Sequence, residues 1–460
     1  MTLSGEEQIA QVMERHDTRT FKSQQRPLEL GPRRPLNSVR APRASPADTR
    51  GFARWPVGKA NKSKRNTSLQ VMAGTADTHA VNKWCHLAFV AAKDAMRKGS
   101  ARAAVHKRVV IGAAVALLFM PPGQAAASPA LTAVRTPDGV VLRGTSLYLA
   151  SKPWQFTGVN APEAASDYAI NGGCGAEINV LSLFDSLPRN SVVRVNFDQD
   201  ETIDVGPDVS PRAVNRDWRG LDQVVAAANQ STSHVHLIAY LGTQGGTCDG
   251  EVFKTDEWYK SGYLEPYAGP VGYGDSTSYA HSSYWSYLQQ VISRYAGNPA
   301  ILMWEPMSEP EASDCLPGYR GGACYGNDTC PADATTTLVN WFDQVGDEVH
   351  SLDPGALVGT GELTSEQCGW SGGGESRIDE AAGVDVASYH DYGSDSAAMP
   401  GGLALAIADA KQAGRPLVVG EVGVPAGEAC PTGAPQPGTE MSAKYRSAMA
   451  AGVAGWLPWC

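Results

Sequence analysis

The sequence predicts an α/β fold, a (β/α)8 TIM barrel, over residues 128–460 of the 460-residue chain. Three observations carry that prediction. Short apolar runs alternate with amphipathic stretches, the pattern of parallel strands joined by crossover helices. The strand segments are near-continuous apolar runs, as expected where both faces of a sheet are covered. Polar residues stand at or just past their C-terminal ends, at Asn160, Asp198, Glu309, His390 and Glu421, and a barrel gathers such residues at one mouth. A doubly wound sheet would gather them at a switch point behind a GxGxxG turn, and no early strand carries one.

Taken in order, TAVRTPDGVVLRGTSLYL (132–149) reads as an opening hairpin around a Pro-Asp-Gly turn. The eight barrel strands follow as WQFTGVNA (154–161), SVVRVNF (191–197), HVHLIAYLGT (234–243), AILMWE (300–305), ALVGTGEL (356–363), VDVASYHDY (384–392), PLVVGEVGV (416–424) and VAGWLPWC (453–460). Helical spacing appears at 217–230, 283–299, 337–352, 402–414 and 439–452, the second of these stopping at Gly-Asn-Pro. The chain stops directly after the eighth strand, so the last helix of the barrel is missing. The segment reads as C-terminally truncated or broken in frame, the alternative being a barrel patched by another segment.

Charge divides the chain before this domain begins. Residues 1–108 carry 21 Lys/Arg against 8 Asp/Glu, and residues 109–460 carry 17 against 40. Residues 1–95 are rich in Arg, Pro and Ser with few periodic apolar positions, which predicts a disordered basic extension. At Met96 a basic run (MRKGSARAAVHKR) leads into a 12-residue apolar run (VVIGAAVALLFM) and a small-residue site at Ala125-Ala126-Ala127. That is the anatomy of a secretory signal peptide over 96–127, and the apolar run is short for a membrane span. Met96 therefore reads as the true start, with 1–95 as upstream sequence, the alternative being an unusual targeting extension. The expected location is secreted or cell envelope, without a membrane span in the mature protein.

Eight cysteines lie beyond this segment, at 174, 248, 315, 324, 330, 368, 430 and 460. An even count in an exported chain predicts disulfides of undetermined pairing. Cys315, Cys324 and Cys330 crowd a Gly-rich segment that reads as a stapled loop. No paired CxxC motif or His–Cys spacing points to zinc. The acidic balance of the domain argues against nucleic acid and polyanionic substrates.

Glu309 and Glu421 stand at the tips of the fourth and seventh strands, which a closed barrel sets across its mouth from each other. Two facing carboxylates can divide the labour of glycoside hydrolysis, one donating a proton to the leaving oxygen while the other attacks the sugar carbon. Either glutamate alone reads more simply as a salt-bridged surface residue; their joint placement favours the site. WEPMSEP (304–310) resembles the W-E-x-x-N-E-P signature of clan A glycoside hydrolases, family 5 above all, with its mannanase-like and cellulase-like members. PLVVGEVGV resembles the strand that carries that family's nucleophile. The resemblance covers about residues 130–460 and implies Glu309 as acid/base and Glu421 as nucleophile. It implies that Arg194 steadies the nucleophile, that Tyr392 of the His390-x-Tyr392 pair contacts it, and that Trp459 stacks on sugar, with Trp456 a weaker candidate. Gly158-Val159-Asn160 matches the first-strand Gly-Val-Asn of the family.

By the same resemblance Glu305 is the non-catalytic glutamate, paired with a polar group inside the barrel. Glu311, beyond the proline, faces solvent or the loop disulfides. Ser308 stands where the family has the Asn that hydrogen-bonds the sugar 2-hydroxyl. The implied function is a secreted retaining glycosidase acting on a β-linked polysaccharide or cell-envelope glycan, monomeric and with neither cofactor nor metal. Ser308 keeps open a galactofuranosidase-type activity and a non-catalytic glycan-binding barrel. Two further segments are ambiguous. NFDQDETIDVGPD (196–208) reads as a solvated acidic loop and lacks the EF-hand Gly and Glu. The aromatics of 256–279 suit sugar platforms and loop anchors equally.

Overall fold

The structure is a computed structural model that describes residues 136–459, apart from 138, 168–169, 172–176, 207, 246–252, 270–276, 318–323, 325, 365, 394–400 and 425–436. The basic extension, the signal segment and Cys174, Cys248, Cys430 and Cys460 lie outside the described residues. A small antiparallel sheet opens the chain, with β1 (Val140–Arg143), β2 (Ser146–Leu149) and β3 (Lys152–Pro153). Arg143 pairs with Ser146, so the β1–β2 turn is Gly144-Thr145, with Gly144 at φ +54°. The Pro-Asp-Gly turn expected between these strands lies before them instead. A two-residue hairpin loop needs a positive φ at its first position, and Gly144 supplies it without steric cost.

The remaining strands follow as β4 (Phe156–Asn160), β5 (Val192–Asn196), β6 (His236–Tyr240), β7 (Tyr267–Gly269), β8 (Tyr279–His281), β9 (Ile301–Glu305), β10 (Asp314–Cys315), β11 (Asp328–Thr329), β12 (Leu357–Val358), β13 (Ala387–Asp391), β14 (Leu417–Val422) and β15 (Gly455–Pro458). Eight of these form one parallel sheet in the order β12-β9-β6-β5-β4-β15-β14-β13. A parallel bridge between Gly359 and Val386 joins the two end strands, and Thr360 N–H donates to Val386 O at 3.2 Å. The sheet is thereby curled into the barrel that the β/α alternation predicts. The fifth strand is shorter than the run 356–363 suggested, because beyond the Gly359 bridge and the Thr360 bond the chain turns to Gly361, which accepts from Glu309 N–H.

Alternation along each strand decides what goes inside. In β5, Val193 and Val195 pack outward against helices, while Val192 joins the inner core and Arg194 points up the axis. The inner core holds Val192, Ile238, Leu302, Met303, Leu357, Val386, Val418 and Leu457, with Val140, Leu142 and Leu147 of the hairpin in the same cluster. The hairpin thus plugs the N-terminal end of the barrel, and the polar mouth lies at the other end.

Helices cover the outside: α1 (Val180–Ser186), α2 (Arg219–Gln230), α3 (Asp256–Lys260), α4 (Tyr284–Tyr295), α5 (Ala334–Leu352), α6 (Gly374–Asp379), α7 (Gly401–Ala413) and α8 (Pro437–Ala451). In α2, Leu221, Val224, Val225 and Ala228 recur at helical spacing and are buried. The Ser283 hydroxyl caps α4 by accepting from Ser286 N–H, and Gly297 at φ +70° follows its end. The short helices α1, α3 and α6 carry too few turns to show periodicity in sequence. Two disulfides, Cys315–Cys324 and Cys330–Cys368, staple the loop after β9.

One sequence expectation fails on burial. Asp198, Asp200 and Glu201 of the acidic stretch are buried rather than solvated. Asp200 Oδ1 pairs with His281 Nε2 at 2.7 Å, and Asn196 Nδ2 donates to Asp198 Oδ2 at 2.9 Å. Glu311 is buried too, accepting from the Ser313 hydroxyl at 3.2 Å beside the backbone of disulfide-bonded Cys368. Of its two expected surroundings the loop disulfide is the one found, because the chain turns back over the barrel after Pro310.

A second set of buried acids lies in the outer layer. Glu362 follows β12 and Glu375 and Asp379 belong to α6, with the half-buried Asp409 of α7 near them. Burial and mutual repulsion raise Glu362 and Asp379, and burial together with Asp409 pushes Glu375 up to about 7. An acid whose folded value is raised costs stability as pH climbs from its unfolded value, ~4.3, towards the folded one. Glu375→Gln should therefore stabilise the chain at pH 8 by about 1–3 kcal/mol and change little at pH 4. Urea denaturation at the two pH values measures this, and an equal effect at both contradicts it.

Candidate active site

The site is organised by Arg194, whose guanidinium is fully buried at the centre of the barrel. Its Nε donates to Glu305 Oε2 at 2.6 Å, Nη1 to Glu421 Oε1 at 2.6 Å and Nη2 to the Ser308 hydroxyl at 2.8 Å. A weaker contact of 3.4 Å runs from Nη1 to Asn160 Oδ1. Asn160 in turn donates from Nδ2 to Gly420 O at 2.9 Å, tying β4 to the strand that bears Glu421. Burial works against the guanidinium charge, but Glu305 and Glu421 outweigh it and raise its pKa. The ring of Tyr240 lies 4.5 Å below the guanidinium, adding a cation–π contact in a desolvated position.

Glu421 is 7% exposed at the side chain. Its Oε2 accepts from the Tyr392 hydroxyl at 2.6 Å, opposite the oxygen held by Arg194. Burial alone would raise this carboxyl; His390, Arg194 and the Tyr392 hydrogen bond overcome that and hold it below the usual carboxylate range. Glu421 is thus an anion at neutral pH with both oxygens aimed. Tyr392 is raised by its own burial and by the Glu421 charge, so it stays a neutral donor.

Glu309 differs in kind. It is 29% exposed at the side chain, and its Oε1 lies 2.9 Å from His390 Nδ1. The same His390 nitrogen is 3.6 Å from Glu421 Oε1. Glu309, His390 and Glu421 each present a polar atom within 4.8 Å of the others. Such a Glu–His–Glu set could also ligate a divalent cation. The positive charge a cation would bring to Glu421 is already supplied by Arg194 at 2.6 Å.

The structure therefore brings Arg194, Ser308, Glu309, His390, Tyr392 and Glu421 together at the barrel mouth, Ser308 and Tyr392 joined through Arg194 and Glu421, and the hydrogen-bonded pair Glu309–His390 set 3.6 Å from Glu421. Glu305 lies beneath them, bonded to Arg194 and 3.4 Å from the Ser388 hydroxyl, so its expected polar partner is the arginine. Trp459 stands apart from that set, 37% exposed one residue past β15, its backbone N–H donating to Val422 O at 2.9 Å. Trp456 faces the outer layer, 3% exposed against Tyr445, which removes it as a site candidate. Among the loop aromatics, Trp258, Tyr259 and Tyr263 pack on or beside Trp341 and Tyr284 as anchors. Tyr240 and Gln367 were not singled out from sequence. Tyr240 had a signal, a polar aromatic closing the run HLIAY, whereas Gln367 had none.

No family model matches the chain. Its sequence is similar to mannan endo-1,4-β-mannosidase A of Podospora anserina, 26% identical over 144 residues that make up 31% of this chain and 28% of that protein. It is 25% identical over 186 residues to mannan endo-1,4-β-mannosidase F of Aspergillus clavatus, 38% of this chain and 33% of that one. A probable mannan endo-1,4-β-mannosidase F of Emericella nidulans is 26% identical over 258 residues, 52% and 48% of the two chains. The chain thus spans between about a quarter and a half of the length of these curated relatives. Among solved structures, the endo-1,4-β-mannanase from Rhizomucor miehei is 18% identical with a TM-score of 0.47, covering 70% of this chain and 90% of that one. The family 5 resemblance of WEPMSEP and PLVVGEVGV is accompanied by this wider similarity to mannan endo-1,4-β-mannosidases.

Proposed function

We propose that this protein is a glycoside hydrolase of the clan A, family 5 type that cleaves a β-linked polysaccharide with retention of configuration. β-1,4-Mannan is the first substrate class to test, because it is the one named by the similar proteins. The observation that carries the reading is the approach of Glu309 and Glu421 oxygens to within 4.8 Å. Retaining enzymes set their carboxyls ~5–5.5 Å apart, whereas inverting ones leave ~6.5–9.5 Å for a water.

In this reading Glu421, already ionised, attacks the anomeric carbon while Glu309 gives its proton to the departing glycosidic oxygen. The C–O bond to the leaving sugar breaks as the bond to Glu421 forms. Glu309, now a carboxylate, then takes a proton from water as that water displaces Glu421. Its greater exposure suits a group that must exchange its proton every cycle. His390 holds Glu309, Tyr392 and Arg194 hold Glu421, and Trp459 offers an apolar face at the rim. Ser308, held by Arg194, reaches less far than the family Asn, so a sugar 2-hydroxyl would meet it through water. The domain organisation goes with this reading: an exported barrel behind a signal segment at 96–127. Among the described residues no helix is long and apolar enough to cross a membrane.

The test is reducing-end release from β-1,4-mannan and other β-glycans, with a 2-deoxy-2-fluoro glycosyl fluoride as trap. Labelling of the peptide carrying Glu421, read by mass spectrometry, is the expected result. Saturable oligosaccharide binding without cleavage or labelling would establish the glycan-binding barrel instead, and turnover of galactofuranosides alone would move the substrate class.

A further inference from the structure

We infer that Gln367 is a positioning residue for Glu309, fixing the backbone from which that carboxyl is presented and coupling it to His390. The inference rests on the acid/base role proposed above for Glu309. Glu309 has φ +60°, a left-handed conformation held by a residue with a side chain and followed directly by Pro310. Such a residue keeps that conformation only where its surroundings over-determine it, and such positions cluster at working sites. Here the surroundings are specific. Glu309 N–H donates to Gly361 O at 2.7 Å, and Gln367 Nε2 donates to Glu309 O at 3.0 Å. Both backbone groups of one residue are thus held from the same side of the chain, by Gly361 and Gln367.

The other end of the Gln367 amide closes a circuit. Its Oε1 accepts from Leu363 N–H at 3.0 Å and from Thr364 N–H at 3.4 Å. Leu363 O accepts from His390 N–H at 3.1 Å, and His390 Nδ1 lies 2.9 Å from Glu309 Oε1. The path therefore runs from Glu309 through Gln367 and Leu363 to His390 and back to Glu309. The contact between Gln367 and Glu309 is anchored on both sides. Trp370 Nε1 donates to Pro310 O at 2.6 Å, Ala312 N–H donates to Cys368 O at 3.2 Å, and Cys368 is bonded to Cys330. Gln367 is 8% exposed, so water does not replace its amide freely. Gly361 is required by the same packing: at φ +65°, an added Cβ would come within 2.1 Å of Met307 O.

The consequence is chemical as well as structural. A displaced acid/base slows proton donation to a poor leaving group but not departure of one that leaves without a proton. kcat/KM should therefore be compared on a dinitrophenyl β-glycoside and on an unactivated oligosaccharide, since it reports steps up to glycosyl-enzyme formation. Gln367→Glu keeps the acceptor for Leu363 and Thr364 and removes the donor to Glu309; Gln367→Met removes both. Each variant should lose at least about tenfold on the oligosaccharide and no more than about twofold on the activated glycoside, with the alkaline limb of the pH profile displaced. Equal losses on the two substrates, no loss on either, or failure of both variants to fold would overturn the inference. A wild-type chain that cleaves neither substrate overturns instead the reading of the site on which it rests.

Discussion

Glu421→Gln should reduce turnover by at least ~10³-fold on every substrate that the wild type cleaves, about 4 kcal/mol of barrier. The amide keeps the shape of the side chain and still accepts from Arg194 or Tyr392, but it cannot form the bond to the anomeric carbon as a carboxylate does. The loss should be indifferent to leaving group, because the attack itself is missing. Glu309→Ala should behave differently, losing about 10²–10⁴-fold on polysaccharide and far less in kcat/KM on a dinitrophenyl glycoside. Added azide should restore turnover of the activated substrate in Glu309→Ala, since a small anion can attack the sugar without a general base. Steady-state kinetics on the two substrate types separates the roles. A loss below about tenfold for Glu421→Gln, ~1.4 kcal/mol, would remove the two-glutamate reading.

Arg194→Met should cost both stability and chemistry. Arg194 has no exposed surface and holds Glu305 and Glu421 at 2.6 Å each. Its removal leaves two carboxylates around a desolvated space, and breaking a buried pair in this way costs about 3–5 kcal/mol. The pH dependence has a definite sign. Glu421 is held below its usual range in the folded chain, so its contribution to stability is present above the unfolded carboxyl value, ~4.3, and is lost as pH falls through the folded value. Without Arg194 only His390 and the Tyr392 hydrogen bond still oppose burial, and the Glu421 carboxyl rises. The deficit of the variant should then be largest at neutral pH and shrink below about pH 4, while the acid limb of kcat/KM moves to higher pH. Denaturant titrations at pH 3.5 and 7 decide the matter; an unchanging deficit would mean that shape rather than charge is lost. Arg194→Lys should recover only part of the function, since one ammonium lacks the fork that reaches Glu305, Ser308 and Glu421 together.

The buried set Glu362, Glu375 and Asp379 presents the opposite case, acids brought together with the Arg415 guanidinium on the Asp379 backbone carbonyl rather than on a carboxylate. Carboxylate burial is tolerated at the mouth because Arg194 compensates it, and in the outer layer because those acids bind protons as pH falls. The chain therefore carries two opposed pH dependences, one favouring the folded site above about pH 4 and one weakening the outer layer towards neutrality.

How much of this was legible in the residues alone depends on the range of each interaction. The strands of the barrel were readable from periods of apolar residues between breakers, and the strand-end carboxylates from their position after those runs. Glu309 and Glu421 are 112 positions apart, yet alternate strand positions and barrel closure suffice to face them. The hairpin turn was misplaced because Pro-Asp-Gly and Arg-Gly-Thr are both competent turns, and packing of Val140, Leu142 and Leu147 into the barrel floor chose between them. The acidic stretch was misjudged for a related reason: charge alone says exposed, whereas His281 reaches buried Asp200 from 81 positions away.

By itself, then, the sequence determined the alternation of strands and helices, and with it the end of the barrel where polar residues collect, since periodicity is a local property of the chain. Only the tertiary structure decided which of those residues touch: that Arg194 binds Glu305, Ser308 and Glu421 at once, and that Gln367 reaches Glu309 from 58 positions away. Hydrogen bonds are short and directional, so their partners are set by how the elements pack and leave no periodic trace along the chain.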